Sequence, residues 1–193
     1  MNMFLDLLYK CINGYEGEKQ KLFYSHIEPL MNHISEFHNE YIQSFRYIKQ
    51  SLEKKEIPTS ELLDFLEERK HQRSAERNLT KELAKALTEA ERRLVRKSTW
   101  DLFNNFSKAA FDYFIASNEI ARHSWYTDFI NLMKLFRDVE DREIKHEVFN
   151  SNIFGNDPRS DLILHLSKII EKDLPAKLTE VNKYYAKLRG ELL

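Results

Sequence analysis

Apolar residues along this chain recur at helical spacing. Phe23, Ile27, Leu30, Ile34, Phe37 and Tyr41 follow one another at intervals of 4-3-4-3-4, the rhythm of a heptad seam on one side of an α-helix. Ile48 continues the seam, Ser44 is a weak link in it, and Phe45 and Leu52 shift it sideways. Pro29 lies inside this run; it removes an N–H donor and predicts either a kink or two helices meeting at Glu28–Pro29.

From Thr59 to Phe154 there is neither glycine nor proline. One helix of that length would span about 140 Å at 1.5 Å per residue, so the segment must break at polar signals. Ser98-Thr99-Trp100-Asp101 has the form of a capping box, and Ser117-Asn118 and Ser124 are further candidate caps. Pro58-Thr59-Ser60 opens the segment. Asp157-Pro158 opens a later helix, with an N-cap followed by proline in the first turn. Pro175 starts or kinks the last one. The predicted helices are 2–13, 17–55, 59–97, 99–117, 119–150, 158–173 and 175–190, with the clearest linker at Asn150–Asp157. Aromatic residues are densest between 99 and 136. Phe111 and Ile115 lie off the face formed by Phe103, Phe106 and Phe114, which predicts a central position for that helix.

Composition supports helices over strands. The only glycines are at 14, 17, 155 and 190, against an average usage of about 7%. Valine is scarce, and good helix formers dominate. The single cysteine, Cys11, forms no internal disulfide and no multi-thiolate metal site. The N-terminus has no basic region of a signal peptide, and no apolar run reaches the ~18 residues of a membrane span. A cytoplasmic protein without membrane contact is expected. The net charge of −1 gives no global field toward nucleic acid.

Charge is unevenly distributed, however. Residues 69–97 carry ten basic and four acidic groups, and residues 1–68 carry seven basic and twelve acidic ones. On a continuous helix over 59–97, Arg69, Arg73 and Arg77 form one stripe at i, i+4, i+8. With Arg92, Arg93 and Arg96 they are the candidate phosphate- or nucleic-acid-binding residues, since the guanidinium fork matches phosphate. Interleaved glutamates and the lack of stacking aromatics favour the other reading, a solvated helix paired within the fold.

Metal chemistry has one weak signal. Glu143 and His146 have the Glu-x-x-His spacing of helical di-metal sites. Glu119/His123 and Asp161/His165 are i, i+4 pairs on neighbouring predicted helices. A second Glu-x-x-His is missing, so no cofactor is assigned. His146-Glu147-Val148-Phe149-Asn150 resembles a zinc-protease motif only until its last ligand. His26, His33 and His38 flank the hydrophobic seam and read as ordinary flanking histidines. There is no Gly-rich phosphate loop, no Cys-x-x-Cys and no Gly-x-Ser-x-Gly. No arginine has a histidine five residues on, which excludes the Arg-x4-His signature of helical ribonucleases.

The expected fold is an all-α, elongated bundle. A long antiparallel, coiled-coil-like helical hairpin (17–55 against 59–97) adjoins a compact, aromatic-rich C-terminal bundle, giving regions 1–97 and 98–193 within one structural unit. The expected role is a non-enzymatic interaction or scaffolding protein that engages a protein partner or a second copy through helical surfaces. A nucleic-acid accessory protein and a carboxylate–histidine metal-binding bundle are the alternatives.

Overall fold

Helices account for the regular structure, and no strand occurs among the described residues, which in this computed structural model are 20–89, 97–116, 123–141, 154, 155 and 157–193. In chain order the helices are α1 (Glu28–Lys54), α2 (Thr59–His71), α3 (Ser74–Glu89), α4 (Lys97–Tyr113), α5 (Trp125–Asp141), α6 (Pro158–Lys168) and α7 (Leu174–Leu192). No helix of the described residues is long and apolar enough to cross a membrane. The helix expected over 2–13 lies outside the described residues.

Proline does not divide the first helix. A proline ring collides with the carbonyl four residues back and has no N–H to offer it. The chain accommodates this by widening one turn to π geometry, at Phe23–Ile27, immediately before Pro29; the Glu28 N–H bonds the Phe23 carbonyl five residues back. The same solution recurs at Ile169–Asp173 before Pro175, where the Leu174 N–H bonds the Ile169 carbonyl. Such single π turns are a known way for a helix to absorb an extra residue.

The single helix expected over 59–97 is not formed. Gln72 leaves the helix with ψ 130° and Arg73 takes a left-handed φ of 53°, so α2 and α3 are separate. The physical reason lies in the sequence: between Glu67 and Asn78 only Ala75 is apolar, so no buried face holds the helix straight there. Lys55 closes α1 in the same left-handed way, with φ 58° and its N–H on the Ser51 carbonyl at 3.0 Å. Helix α4 begins at Lys97, just ahead of the expected cap at Ser98. Ser124 does cap α5, accepting from the Thr127 N–H at 3.4 Å. Asp157 caps α6, accepting from the Ser160 N–H at 3.2 Å and the Ser160 hydroxyl at 2.6 Å.

The helices divide into two compact units. The first takes its described residues from Met1–His38, Ala75–Phe114 and Ala176–Leu193, the second from Asn39–Ser74 and Ile115–Pro175. Both draw on segments from either side of position 97. In the first unit Phe23 meets Tyr185 at 5.6 Å between ring centroids, and Phe37 meets Phe114 edge-on at 5.7 Å. Leu188 and Leu192 of α7 are buried there too. The Lys177 ammonium closes the carbonyl end of α4 by donating to the Asp112 carbonyl at 2.8 Å, where a cation also suits the helix dipole. Phe111 stays partly exposed and carries the Lys81 ammonium over its ring at 5.3 Å, so the second face of α4 is only partly buried.

In the second unit Tyr41 and Phe45 of α1 pack on Tyr126 and Phe129 of α5, with centroids 4.9 to 5.8 Å apart. The seam residues Phe23, Ile27, Leu30, Ile34, Phe37, Tyr41 and Ile48 are all buried; the heptad pattern is therefore satisfied within the chain. Helices α2 and α5 pack closely, with Lys134 reaching Glu67 at 2.9 Å across their surface. At the rim, Arg159 ties α6 to α1 and α5. It donates to the Leu52 carbonyl at the end of α1 at 3.2 Å, pairs with Glu140 at the end of α5, and covers the Phe136 ring at 5.5 Å. The Thr59 hydroxyl, at the start of α2, donates to the other oxygen of Glu140.

Replacing Arg159 with alanine removes a charge-assisted bond to a helix-end carbonyl, a cation–π contact and a half-exposed ion pair. Arg159→Ala is expected to lower the unfolding free energy by about 2 kcal/mol, read as a lower urea midpoint at unchanged slope.

Candidate functional site

Helix geometry brings two side-chain rows together in the second unit. Glu40, Gln43, Ser44 and Tyr47 follow i, i+3, i+4, i+7 along α1, and Phe65 and Arg69 follow i, i+4 along α2. These six residues line a cavity of about 320 Å³, a size that suits small ligands. One part is aromatic: the Tyr47 and Phe65 rings lie 4.7 Å apart at 52°. Tyr47 is 41% exposed, among the more exposed large apolar side chains of the described residues.

Arg69 supplies the cationic wall. Its guanidinium sits 5.2 Å from the Phe65 ring centre and donates through Nη1 to Gln72 Oε1 at 3.0 Å, while the Gln72 amide donates to Glu68 at 2.9 Å. Stacking on a ring and a bond at one corner fix the plane of the fork. Gln72, where α2 ends with its N–H still on the Glu68 carbonyl, lies three residues on from Arg69 and is within reach to hold it.

Glu40 supplies the anionic wall, and it is held from behind. The buried Tyr126 hydroxyl donates to Glu40 Oε1 at 3.1 Å and lies 3.0 Å from Ser44 Oγ. A phenol has one hydrogen; with that hydrogen on the carboxylate, Ser44 is the donor to Tyr126. The order is Ser44 to Tyr126 to Glu40, a short polar chain in which each bond strengthens the next. Ser44, the weak link of the hydrophobic seam, is 3% exposed and is the residue that receives α5 at this point.

The arginines of the basic segment do not form one row. Arg69 ends α2 in the second unit and lines the cavity. Arg73 occupies the left-handed turn. Arg77 belongs to the first unit, is 8% exposed, and lies over the Phe37 ring at 5.8 Å. The expected i, i+4, i+8 row required an unbroken helix through 72–73, and the helix breaks there. Arg92, Arg93 and Arg96 lie outside the described residues.

Of the metal candidates Glu119, His123, Glu143 and His146, only His123 falls among the described residues. The backbone carbonyl of His123 accepts from the Ala116 N–H at 2.9 Å. Asp161 uses Oδ2 to hold the Gly155 N–H at 2.6 Å. Among the described residues no three His, Cys, Asp or Glu side chains are grouped to hold a metal ion. The flanking histidines are packing residues of the first unit: His38 Nδ1 faces the Tyr113 hydroxyl at 3.3 Å, and His33 stacks near Phe37.

The sequence reading found Arg69 but missed Glu40, Gln43, Ser44, Tyr47 and Phe65. Their signal was present as a polar and aromatic row beside the seam. It becomes a site only through contact with α2, which a one-helix pattern does not contain. No family model, no curated protein and no solved structure matches the chain.

Tyr126→Phe keeps the ring and removes the hydroxyl that serves both Ser44 and Glu40. It is expected to cost about 2 kcal/mol in chemical denaturation. A second expectation concerns pH. Burial lowers the pKa values of His26, His38 and His165 from their ordinary 6.5. Below pH 6.5 the unfolded chain takes up protons that the folded protein resists, so stability falls as pH falls through that value toward the lowered folded pKa values. The urea midpoint at pH 5.5 should lie below that at pH 7.5, and His165→Gln should reduce the difference; an unchanged difference would assign the effect to other groups.

Proposed function

We propose that this chain is a non-enzymatic helical interaction protein whose working surface is the Tyr47–Phe65–Arg69 cavity. In this reading α1 and α2 run as an antiparallel hairpin about the 55–58 connection, and a partner protein or a second copy engages the face that they share. One observation carries it. The hydrophobic seam is buried inside the chain, whereas this cavity combines a half-exposed tyrosine, a phenylalanine and a fixed arginine, residue types that concentrate binding energy at interfaces. The cavity also holds no nucleophile–base pair in the arrangement covalent catalysis needs. The broken arginine row no longer supplies a spacing argument for nucleic acid.

The test compares capture by the full chain with capture by Tyr47→Ala and Arg69→Ala variants of matched helicity. A protein retained from native extract by the wild type and lost by both variants is the expected result. Identical retention by all three would place the working surface elsewhere. Mass measurement in solution then decides whether the partner is a second copy.

A further inference from the structure

We propose that the outer face of α3 is a docking surface for the N-terminal segment of this same chain, residues 1–19, with Phe4, Leu8 and Ile12 seated on Ala75, Leu79 and Leu83. The inference concerns the first unit and is independent of the α1–α2 cavity.

Helix α3 has two faces of different chemistry. Arg77, Thr80 and Ala84 are buried, and Arg77 lies over the Phe37 ring; these residues form the inner face. Ala75, Leu79 and Leu83 follow i, i+4, i+8 on the opposite side, and all three are exposed, Leu79 at 62% and Leu83 at 42%. Single exposed leucines are ordinary on a protein surface, whereas an apolar row along one helix face is the pattern of a face that packs.

Reach, spacing and size identify the occupant. Arg77 lies over Phe37, and Phe37 meets Phe114. Lys81 lies over Phe111, one turn back along α4, and Phe106 and Phe23 both meet Tyr185. Helix α3 therefore starts beside Phe37 and runs toward the N-terminal end of the first helix. This puts Leu83 about 16 Å along the helix axis from Gln20. The chain from Ile12 to Gln20 spans up to about 26 Å when extended, and it contains Gly14 and Gly17, which suit a reversal of direction.

From Ile12 the pattern fits the surface. Phe4, Leu8 and Ile12 are spaced i, i+4, i+8, so on the helix expected over 2–13 they advance by about 6 Å a step. Ala75, Leu79 and Leu83 advance by the same interval, and the two rows stay in register. The largest side chain of one row, Phe4, then falls opposite the smallest of the other, Ala75, as interdigitated packing requires. Asn2, Asp6, Lys10 and Asn13 lie on the other side of that helical pattern, where water can receive them.

Cys11, the only thiol in the chain, adjoins Ile12 at the edge of the apolar row and serves as the probe. In the folded full chain a charged thiol reagent should label it about tenfold or more slowly than in urea, because labelling requires the segment to open. Leu79→Asp with Leu83→Asp should restore rapid labelling. Phe4→Asp should do the same with α3 unaltered, so the test stands even if the α3 variant fails to fold. Labelling of the wild type at the urea rate overturns the proposal, and so does protection that survives Phe4→Asp. Protection that increases with protein concentration gives this face of α3 to a second copy and also overturns it.

Discussion

Arg159 closes the carbonyl end of α1, neutralises Glu140 at the end of α5 and covers an aromatic ring, and Glu140 in turn receives Thr59 at the start of α2. This arrangement answers a constraint that governs the whole chain. Helices leave their last carbonyls without partners, and most proteins end many helices on glycine. Here the glycines are few, and helix ends are instead closed by side chains from other elements or by non-glycine residues in left-handed backbone. Lys177 on Asp112 follows the first route; Lys55 and Arg73 follow the second. The helix-rich composition and the long polar side chains at helix ends are thus linked features of one solution.

The second organising contact is polar and buried. Tyr126 enters between Tyr41 and Phe45 and places a hydroxyl where a pure heptad would have only hydrocarbon. An apolar residue at 44 would leave that hydroxyl with one partner fewer in a low-dielectric setting, where missing bonds are costly. The core and the cavity share this group: the residue that positions α5 against α1 is also the residue that steadies Glu40 at the cavity wall. Changes to packing and changes to recognition are coupled at Tyr126.

The helical character of the chain was legible in its glycine and valine scarcity and in the 4-3-4 spacing, and the burial of Phe23 through Ile48 follows from that spacing alone. The caps at Ser124 and Asp157 were legible because Ser and Asp at those places have a specific hydrogen-bonding reason to start a helix. The break at 72–73 was not. It uses no glycine, asparagine or proline; its only trace was the loss of apolar residues after Leu66, which fits a basic face equally well. Arg73 and Arg77 then went to a turn and to the Phe37 ring. The cavity was only partly legible, since Arg69 stands out as a charge but Glu40, Tyr47 and Phe65 acquire meaning through a neighbour far along the chain. Sequence periodicity describes one helix at a time, whereas a site of this kind belongs to two.

The π turns before Pro29 and Pro175 bear on how such a chain tolerates change in length. Each turn holds one residue more than an α-helical turn, and the hydrogen-bond ladder continues on both sides. The extra residue shifts the angular register of the residues before the turn by about 100° relative to those after it, and Leu22 and Phe23 are both fully buried there. Removing one residue from Phe23–Ile27 would restore an ordinary ladder and, at the same time, bring the carbonyl before Pro29 back into its ring and rotate Leu22 relative to α1. The two prolines therefore fix the length of the segments before them: they convert a single-residue insertion, elsewhere a defect in a helix, into part of the chain's permanent register.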